Sequence, residues 1–145
     1  MEIVAAAAAD HGKGIIIHND AQHFSAGVDL NAFRAYIEAE DWDGIDGFLD
    51  RFQKAVCALK YTPVPVVGAP SGLAAGGGYE VLAHCDRLIV HTNSVMGLVE
   101  AGVGVVPGGG GIKDTFFRWH AAKDSWDEAA WQTWMNIGYG LSLIH

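Results

Sequence analysis

Two glutamates stand in stretches of sequence where a charged side chain is unusual. Glu80 is separated by Tyr79 from three consecutive glycines and precedes an apolar segment, and Glu100 lies between Val99 and Ala101 with no basic neighbour. Carboxylates in apolar surroundings need a partner or a purpose, because burial disfavours their charged form. One interpretation is structural, a cap or an ion pair. The other is a dry cleft in which two carboxyls with shifted pKa values act as general acid and base.

The common nucleotide, hydrolase and zinc motifs are not matched. Residues 102–107 follow a GxGxxP pattern rather than GxGxxG, and no Gly-Lys-Ser or Gly-Lys-Thr follows the glycine run 108–111. Neither Ser25 nor Ser71 lies in a GxSxG sequence, and no HExxH motif occurs among the seven histidines. The histidines are therefore interpreted as surface or core residues rather than as ligands.

The elements that must position the two glutamates alternate between strands and helices. Short apolar runs predict buried strands at 15–17, 66–67, 87–91 and 95–99. A parallel sheet is the usual location for such continuous apolar strands. Helices are predicted at 1–10, 29–36 with Asp29 as the cap, 79–85, after the glycine run 107–111, and after Asp124 or Ser125.

The longest predicted helix carries one apolar face, which we interpret as core packing alone. Its members at helical spacing are Ile45, Phe48, Leu49, Phe52, Val56 and Leu59.

Composition and charge exclude several classes of function. The 145 residues are 50% hydrophobic and carry a net charge of -8, so we expect one domain and no nucleic-acid partner. No apolar stretch approaches the roughly 18 residues of a membrane span, so we expect no membrane partner. Cys57 and Cys85 are predicted to be reduced, buried thiols of a cytoplasmic protein. Six acids are interpreted as a solvated surface and not as a metal site: Glu38, Glu40, Asp41, Asp43, Asp46 and Asp50.

Three ordered blocks of the sequence resemble a known family. Residues 23–30 read HFSAGVDL, residues 76–86 read GGGYEVLAHCD, and residues 97–110 read GLVEAGVGVVPGGG. They are similar to the FSAGxDL, GGGxELxxxCD and FGxxExxxGxxPGGG signatures of the crotonase (enoyl-CoA hydratase/isomerase) superfamily. The resemblance implies an α/β, crotonase-like fold, a ββα superhelix, truncated here at both ends.

The resemblance also implies roles for particular residues. The backbone N–H groups of Val28 and Gly77 would form an oxyanion hole for a thioester carbonyl. Glu80 would activate water for attack on C3 of an enoyl-CoA, and Glu100 would exchange a proton at C2. The reaction would convert trans-2-enoyl-CoA to 3-hydroxyacyl-CoA in fatty acid β-oxidation, with the coenzyme A thioester as substrate and no cofactor. Further substrate-binding residues implied are Ala26, Gly27, Asp29, Gly76, Pro107 and Gly108.

Within that superfamily, the chain looks most like the hydratase module of bifunctional 3-hydroxyacyl-CoA dehydrogenase/enoyl-CoA hydratases. Residues 1–140 are interpreted as the incomplete core of a single domain. Residues 141–145 resemble a translated library-adapter sequence and are interpreted as a non-native tail. The complete protein is expected to be a trimer-based homo-oligomer or part of a bifunctional chain.

Two alternatives remain open at this stage. An enoyl-CoA isomerase of the same fold would move a double bond instead of adding water. A non-catalytic fragment, or an acyl-CoA binding or assembly module, would follow if a cut-open core is covered only by the apolar residues of the last predicted helix, Trp126, Trp131, Trp134 and Met135.

Overall fold

The computed structural model describes residues 13–121, 127–129 and 132. Within them the strands are β1 (Ile15–His18), β2 (Val66–Ala69), β3 (Leu73–Ala75), β4 (Arg87–Leu88) and β5 (Val95–Gly97). The helices are α1 (Leu30–Glu38), α2 (Trp42–Lys60), α3 (Gly77–Ala83) and α4 (Gly111–Ala121), with a 3-10 turn at Glu100–Val103. The predictions for residues 1–10, for the four apolar residues of the last helix and for 141–145 lie outside the described residues.

The described strands form two small parallel sheets instead of one. The first sheet has the order β1-β2-β4, and the second pairs β3 with β5 and is extended by a parallel bridge between Ser25 and Ala74. Each strand of the first sheet is followed along the chain by a segment of the second sheet and then by helical structure. The repeat is therefore strand, strand, helix, which is the ββα superhelix expected from the resemblance.

The alternation predicted from hydropathy alone was wrong in this respect. Strand β3 was not predicted, because its residues Leu73–Ala75 are too short and too small to form an apolar run. Of the predicted strand 87–91, only Arg87–Leu88 forms a regular strand beside β2, although the Ile89 N–H still donates to the Gly68 carbonyl at 2.8 Å. The chain then turns so that Val95 can enter the second sheet, and Ile89 is left exposed.

One face of the first sheet is covered by helices, and the other face is open among the described residues. Ile15 and Ile17 pack toward the core cluster of Leu59, Val66 and Cys85. Ile16 points the other way, because successive side chains of a strand alternate between faces, and it is 69% exposed. The prediction that strand 15–17 is fully buried was therefore wrong.

Helices α1 and α2 begin where polar side chains bind their first turns. Asp29 accepts a hydrogen bond from the Asn31 N–H at 2.9 Å, as predicted, and Asp41 accepts one from the Gly44 N–H at 2.9 Å. Both caps satisfy N–H groups that have no partner inside the helix. Helix α2 buries Val56 and Leu59 in the core.

The two cysteines differ in exposure. Cys85 is buried in the core, and burial raises the pKa of its thiol to about 11. Cys57 is exposed, so its predicted burial was wrong. It lies on α2 next to the buried Val56, and neighbouring positions of a helix face different directions.

Candidate active site

Glu80 is held by the start of a neighbouring helix. It lies on the short helix α3 with only 2% of its surface exposed. The N–H groups of Gly109 and Gly111 donate to its Oε1 atom at 2.8 and 2.9 Å. These residues belong to the glycine run that opens α4, so the backbone of one element fixes the carboxylate of another. No described residue donates a hydrogen bond to the other oxygen, Oε2.

The environment of Glu80 shifts its proton affinity upward. Burial is the largest cause, and it raises the pKa of this carboxyl above its usual value. The nearby Glu100 carboxylate raises it further, whereas the Gly111 and Gly109 amides lower it by stabilising the charged form. The net shift is upward, as is typical of a carboxyl that exchanges protons near neutral pH.

Glu100 begins the 3-10 turn that follows β5. Its Oε2 atom accepts the Val99 N–H at 2.8 Å, and it is partly buried. A methyl group added to Gly76 would lie 3.1 Å from Oε1 of Glu100, and Gly76 has a φ of 53°, which favours glycine. Gly76 therefore allows the chain before α3 to pass close to the Glu100 carboxylate.

Both glutamates line one cavity of about 560 Å³. Its walls are mainly apolar and come from α1, α2 and the segment after the 3-10 turn. The apolar residues of these walls are Leu30, Phe33, Ile37, Phe48, Leu49, Phe52, Val103, Val105 and Val106. Arg34 also lines the cavity, and its Nε lies 2.7 Å from Oε1 of Glu38. An apolar pocket with two carboxyls is suited to an apolar ligand that undergoes proton transfer.

Val28 and Gly77 line the same cavity. A methyl group added to Gly77 would lie 3.5 Å from Cγ1 of Val28 and 3.4 Å from Cζ of Phe52, so the two predicted amide donors are neighbours. Within the described part of the chain, neither N–H has an intramolecular hydrogen-bond partner.

The remaining predicted substrate-binding residues occupy different positions. Gly108 lines the cavity, and its carbonyl accepts a hydrogen bond from Gln53 at 2.7 Å. Gly27, with a φ of 97°, packs against the chain at Gly77. Asp29 caps α1, and Ala26 is exposed. The cavity lining does not include Ala26, Gly27, Asp29, Gly76 or Pro107.

Sequence reasoning missed two sets of site residues. Gly109 and Gly111 were recognised as part of a helix-opening run, but a sequence does not show which side chain their N–H groups bind. Phe48, Leu49 and Phe52 were interpreted as core packing alone, which was wrong, because they form a cavity wall. Helical periodicity identifies an apolar face and not whether protein or empty space lies opposite it.

Two searches of the described residues gave negative results. Among residues 13–121, 127–129 and 132, no three His, Cys, Asp or Glu side chains converge as metal ligands would. No helix in this part of the chain combines the length and hydropathy needed to cross a membrane.

Comparison with known proteins gives one consistent family. Residues 3–119 match the family model described as enoyl-CoA hydratase/isomerase. A Bacillus subtilis protein named "Probable 3-hydroxyacyl-CoA dehydrogenase" is 36% identical over 106 residues, 73% of this chain and 13% of that protein. The fatty acid oxidation complex subunit alpha of Idiomarina loihiensis is 32% identical over 102 residues, 70% of this chain and 14% of the subunit.

Solved structures agree with the architecture. An enoyl-CoA hydratase from Polaromonas sp. JS666 superposes with a TM-score of 0.78 at 20% identity, covering 96% of this chain and 50% of the other. The chain thus spans half of that enzyme and about one seventh of the two relatives.

Proposed function

The chain belongs to the enoyl-CoA hydratase/isomerase family, and from this premise we propose that its site adds water to a trans-2-enoyl-CoA to give a 3-hydroxyacyl-CoA. The observation that carries the proposal is the convergence of Glu80 and Glu100 on one apolar cavity. Moving a double bond needs a proton shuttled between two carbons. Adding water needs one group to take a proton from water and another to give one to carbon, and two carboxyls supply both roles.

The proposed reaction balances as follows. Glu80 takes a proton from water while the water oxygen bonds to C3, and the C2=C3 electron pair moves through C2 to the thioester oxygen. The resulting enolate collapses as Glu100, which begins the cycle as the protonated carboxylic acid, gives its proton to C2. The pair then exchanges protons to return to its starting state. Burial makes the Glu80 carboxylate a stronger base than a solvated one, because it raises the pKa of the group.

The Val28 and Gly77 amides supply the enolate stabilisation in this proposal. They are neighbours on the cavity wall and have no intramolecular partner within the described residues. Two N–H groups aimed at one developing oxyanion stabilise the transition state by roughly 3 kcal/mol each. A methyl group at position 77 would make ordinary van der Waals contacts with Phe52 and Val28, so the wall of the cavity is closely packed at this residue.

The cavity walls support an apolar acyl chain as the bound part of the substrate. Phe33, Phe48 and Phe52 line the cavity from two helices. Val106 also lines it and is 81% exposed. The product, a 3-hydroxyacyl-CoA, is the substrate for which the Bacillus subtilis relative is named. This supports a place in fatty acid β-oxidation. Cytoplasmic location, a trimer-based oligomer and independence from any cofactor remain predictions.

The test is hydration of crotonyl-CoA by the purified protein, which is monitored as the loss of absorbance of the conjugated enoyl thioester. We expect Glu80→Gln and Glu100→Gln each to lower kcat by about 10²- to 10⁴-fold, because each removes one proton-transfer group without changing its shape. Glu40→Gln is the matched control, since Glu40 is exposed and is not among the residues that line the cavity. It should retain wild-type kcat.

A second substrate separates hydration from isomerisation. With a 3-enoyl-CoA, a double-bond shift without water addition would replace the hydratase proposal by an isomerase. An unchanged rate in Glu80→Gln would show that the proposed mechanism is wrong. Failure of the wild-type protein to turn over either substrate would favour the alternative of a non-catalytic fragment.

A further inference from the structure

A cluster of charged and titratable side chains lies behind the loop that holds Glu80, and the proposed reaction does not use it. His84 and Asp114 are its centre, with side chains only 1% and 3% exposed and Nε2 of the ring 2.9 Å from Oδ2 of the carboxylate. Lys113 pairs with Asp114 at 3.0 Å, and Lys60 pairs with its other oxygen. Burying the polar side chains of His84 and Asp114 costs free energy unless their interactions stabilise the fold or the site.

One side of the cluster binds the helix that carries Glu80. Nδ1 of His84 lies 2.7 Å from the backbone carbonyl oxygen of Glu80, one helical turn earlier. A carbonyl oxygen only accepts, so the ring nitrogen donates this bond. His84 is the residue that ends α3, so the ring ties the end of the helix to the residue that carries the carboxylate.

The other side binds the loop that supplies the two amides. The N–H of Asp114 donates to the carbonyl of Gly110 at 3.0 Å. A methyl group added to Gly110 would lie 3.6 Å from both Oδ2 of Asp114 and Nε2 of His84. Gly110 is flanked by Gly109 and Gly111, whose N–H groups bind Oε1 of Glu80. The pair therefore lies beside Gly110, between the two residues whose N–H groups anchor that carboxylate.

The Asp114 side chain can pair with His84 and the two lysines because its carboxyl group is ionised. Burial raises the pKa of its carboxyl, but the interactions with Lys60 and Lys113 and the charge of His84 outweigh burial, and the net pKa is lowered. Its Oδ1 atom accepts the hydrogen bond from Lys60, whereas Oδ2 is paired by charge with His84 and Lys113 and has no hydrogen bond of its own among the described residues.

We propose that His84 and Asp114 are positioning residues that keep Oε1 of Glu80 bound to the Gly109 and Gly111 amides, so that Oε2 remains available to substrate. The effect of this positioning on kcat rests on the proposed hydration reaction. The same two helices are also joined by Tyr79 and Thr115, whose hydroxyls lie 2.9 Å apart. Neither hydroxyl is among the atoms nearest to Gly110, which belong to Asp114 and His84, so that bond supplies a matched comparison.

The proposal has a consequence for the titration of Glu80. The groups that face it are Glu100 across the cavity, Arg34 on α1, and His84, Asp114, Lys60 and Lys113 behind the loop. If the loop loosens, Glu80 loses two amide bonds that favour its charged form, and its pKa rises further. The base then becomes protonated at a higher pH, so the acid limb of the activity profile moves to higher pH.

The experiment compares His84→Phe, Asp114→Asn and Tyr79→Phe with the wild-type protein. Carbon-13 NMR of labelled glutamate, with the Glu80 signal assigned through Glu80→Gln, follows the titration without any substrate. We expect His84→Phe and Asp114→Asn to raise the pKa of Glu80 by about one unit. We expect kcat to fall about 10- to 100-fold with KM within about 2-fold of wild type, because the loss is in orientation.

The control and the readouts keep the outcomes separate. Tyr79→Phe should leave both the Glu80 titration and kcat unchanged, even where its melting temperature falls as far as that of Asp114→Asn. A Glu80 titration that stays at the wild-type position in folded Asp114→Asn protein overturns the positioning role. If the protein does not hydrate enoyl-CoA at all, the proposed reaction fails, but the NMR titration still decides whether the pair positions Glu80.

Discussion

Some glycines around Glu80 leave no space for a side chain, and contact distances at each position show which ones they are. A methyl group at Gly109 would overlap the ring of Phe52 and lie 2.7 Å from Oε2 of Glu80. A methyl group at Gly102 would meet nothing within 4 Å. Both glycines belong to the same family-like block of sequence, so the pattern alone gives them equal weight. The structure separates a glycine that makes room for a carboxylate from one that does not.

Gly109→Ala is therefore expected to damage the site, and Gly102→Ala is not. The added methyl group at 109 must push either the Phe52 ring or the Glu80 carboxylate, which costs about 1–3 kcal/mol of stability. The displaced base should lower kcat by about 10²-fold. Urea unfolding and crotonyl-CoA hydration measure the two effects. Wild-type kcat in Gly109→Ala would show that the Glu80 geometry tolerates this displacement.

At the scale of elements, the cavity depends on helices that begin at the right residue. Helix α1 contributes Phe33, Arg34 and Ile37 to the cavity wall, and its first turn is held by the Asp29 side chain. The resemblance implies a substrate-binding role for Asp29, whereas its contact in the structure is with the N–H of Asn31. A cap and a ligand-binding charge predict different responses to the same substitution.

Substitutions at Asp29 distinguish these two roles. As a cap, Asp29→Ala should lower the free energy of unfolding by about 1 kcal/mol, and Asp29→Asn should leave it close to wild type, because asparagine caps as well as aspartate. KM for the enoyl-CoA should then be unchanged in Asp29→Asn. A several-fold rise in KM with unchanged stability would assign the carboxylate to substrate binding. Thermal melts and steady-state kinetics provide both values.

At the scale of the molecule, the first sheet has a covered face and an open face among the described residues. Val66 is completely buried against α2, whereas Ile16 on the neighbouring strand points away from the core. The two side chains are similar in chemistry and differ only in the face that they occupy. The strands therefore offer a direct comparison of what each face contributes.

Replacing each of these residues with threonine measures that difference. Val66→Thr keeps the volume but buries a hydroxyl, so it should cost about 1–3 kcal/mol of unfolding free energy. Ile16→Thr should change it by no more than about 0.5 kcal/mol, as is usual for exposed positions. Urea denaturation of the two variants checks both values. A loss at Ile16 as large as that at Val66 would mean that the second face is also covered in solution.

The amount that could be predicted from sequence differs between fold and site. The Asp29 cap, the long helix with its apolar face and most strands follow from local patterns, whereas the Asp41 cap was not predicted. Strand β3 and the exposure of Ile89 were missed because strand pairing depends on residues distant in sequence. The second sheet was recognised only through the family resemblance, and the cavity wall on α2 not at all.

By itself, the sequence determined the residue types available for chemistry, which are two carboxylates in apolar stretches and a glycine-rich frame around them, and the net charge of -8. Those properties follow from residue types and local spacing. Only the tertiary structure decided that Glu80 binds Gly109 and Gly111, that His84 and Asp114 stand behind them, and that both glutamates share one cavity. Such contacts form between residues about 20 to 30 positions apart, and packing, not local preference, selects them.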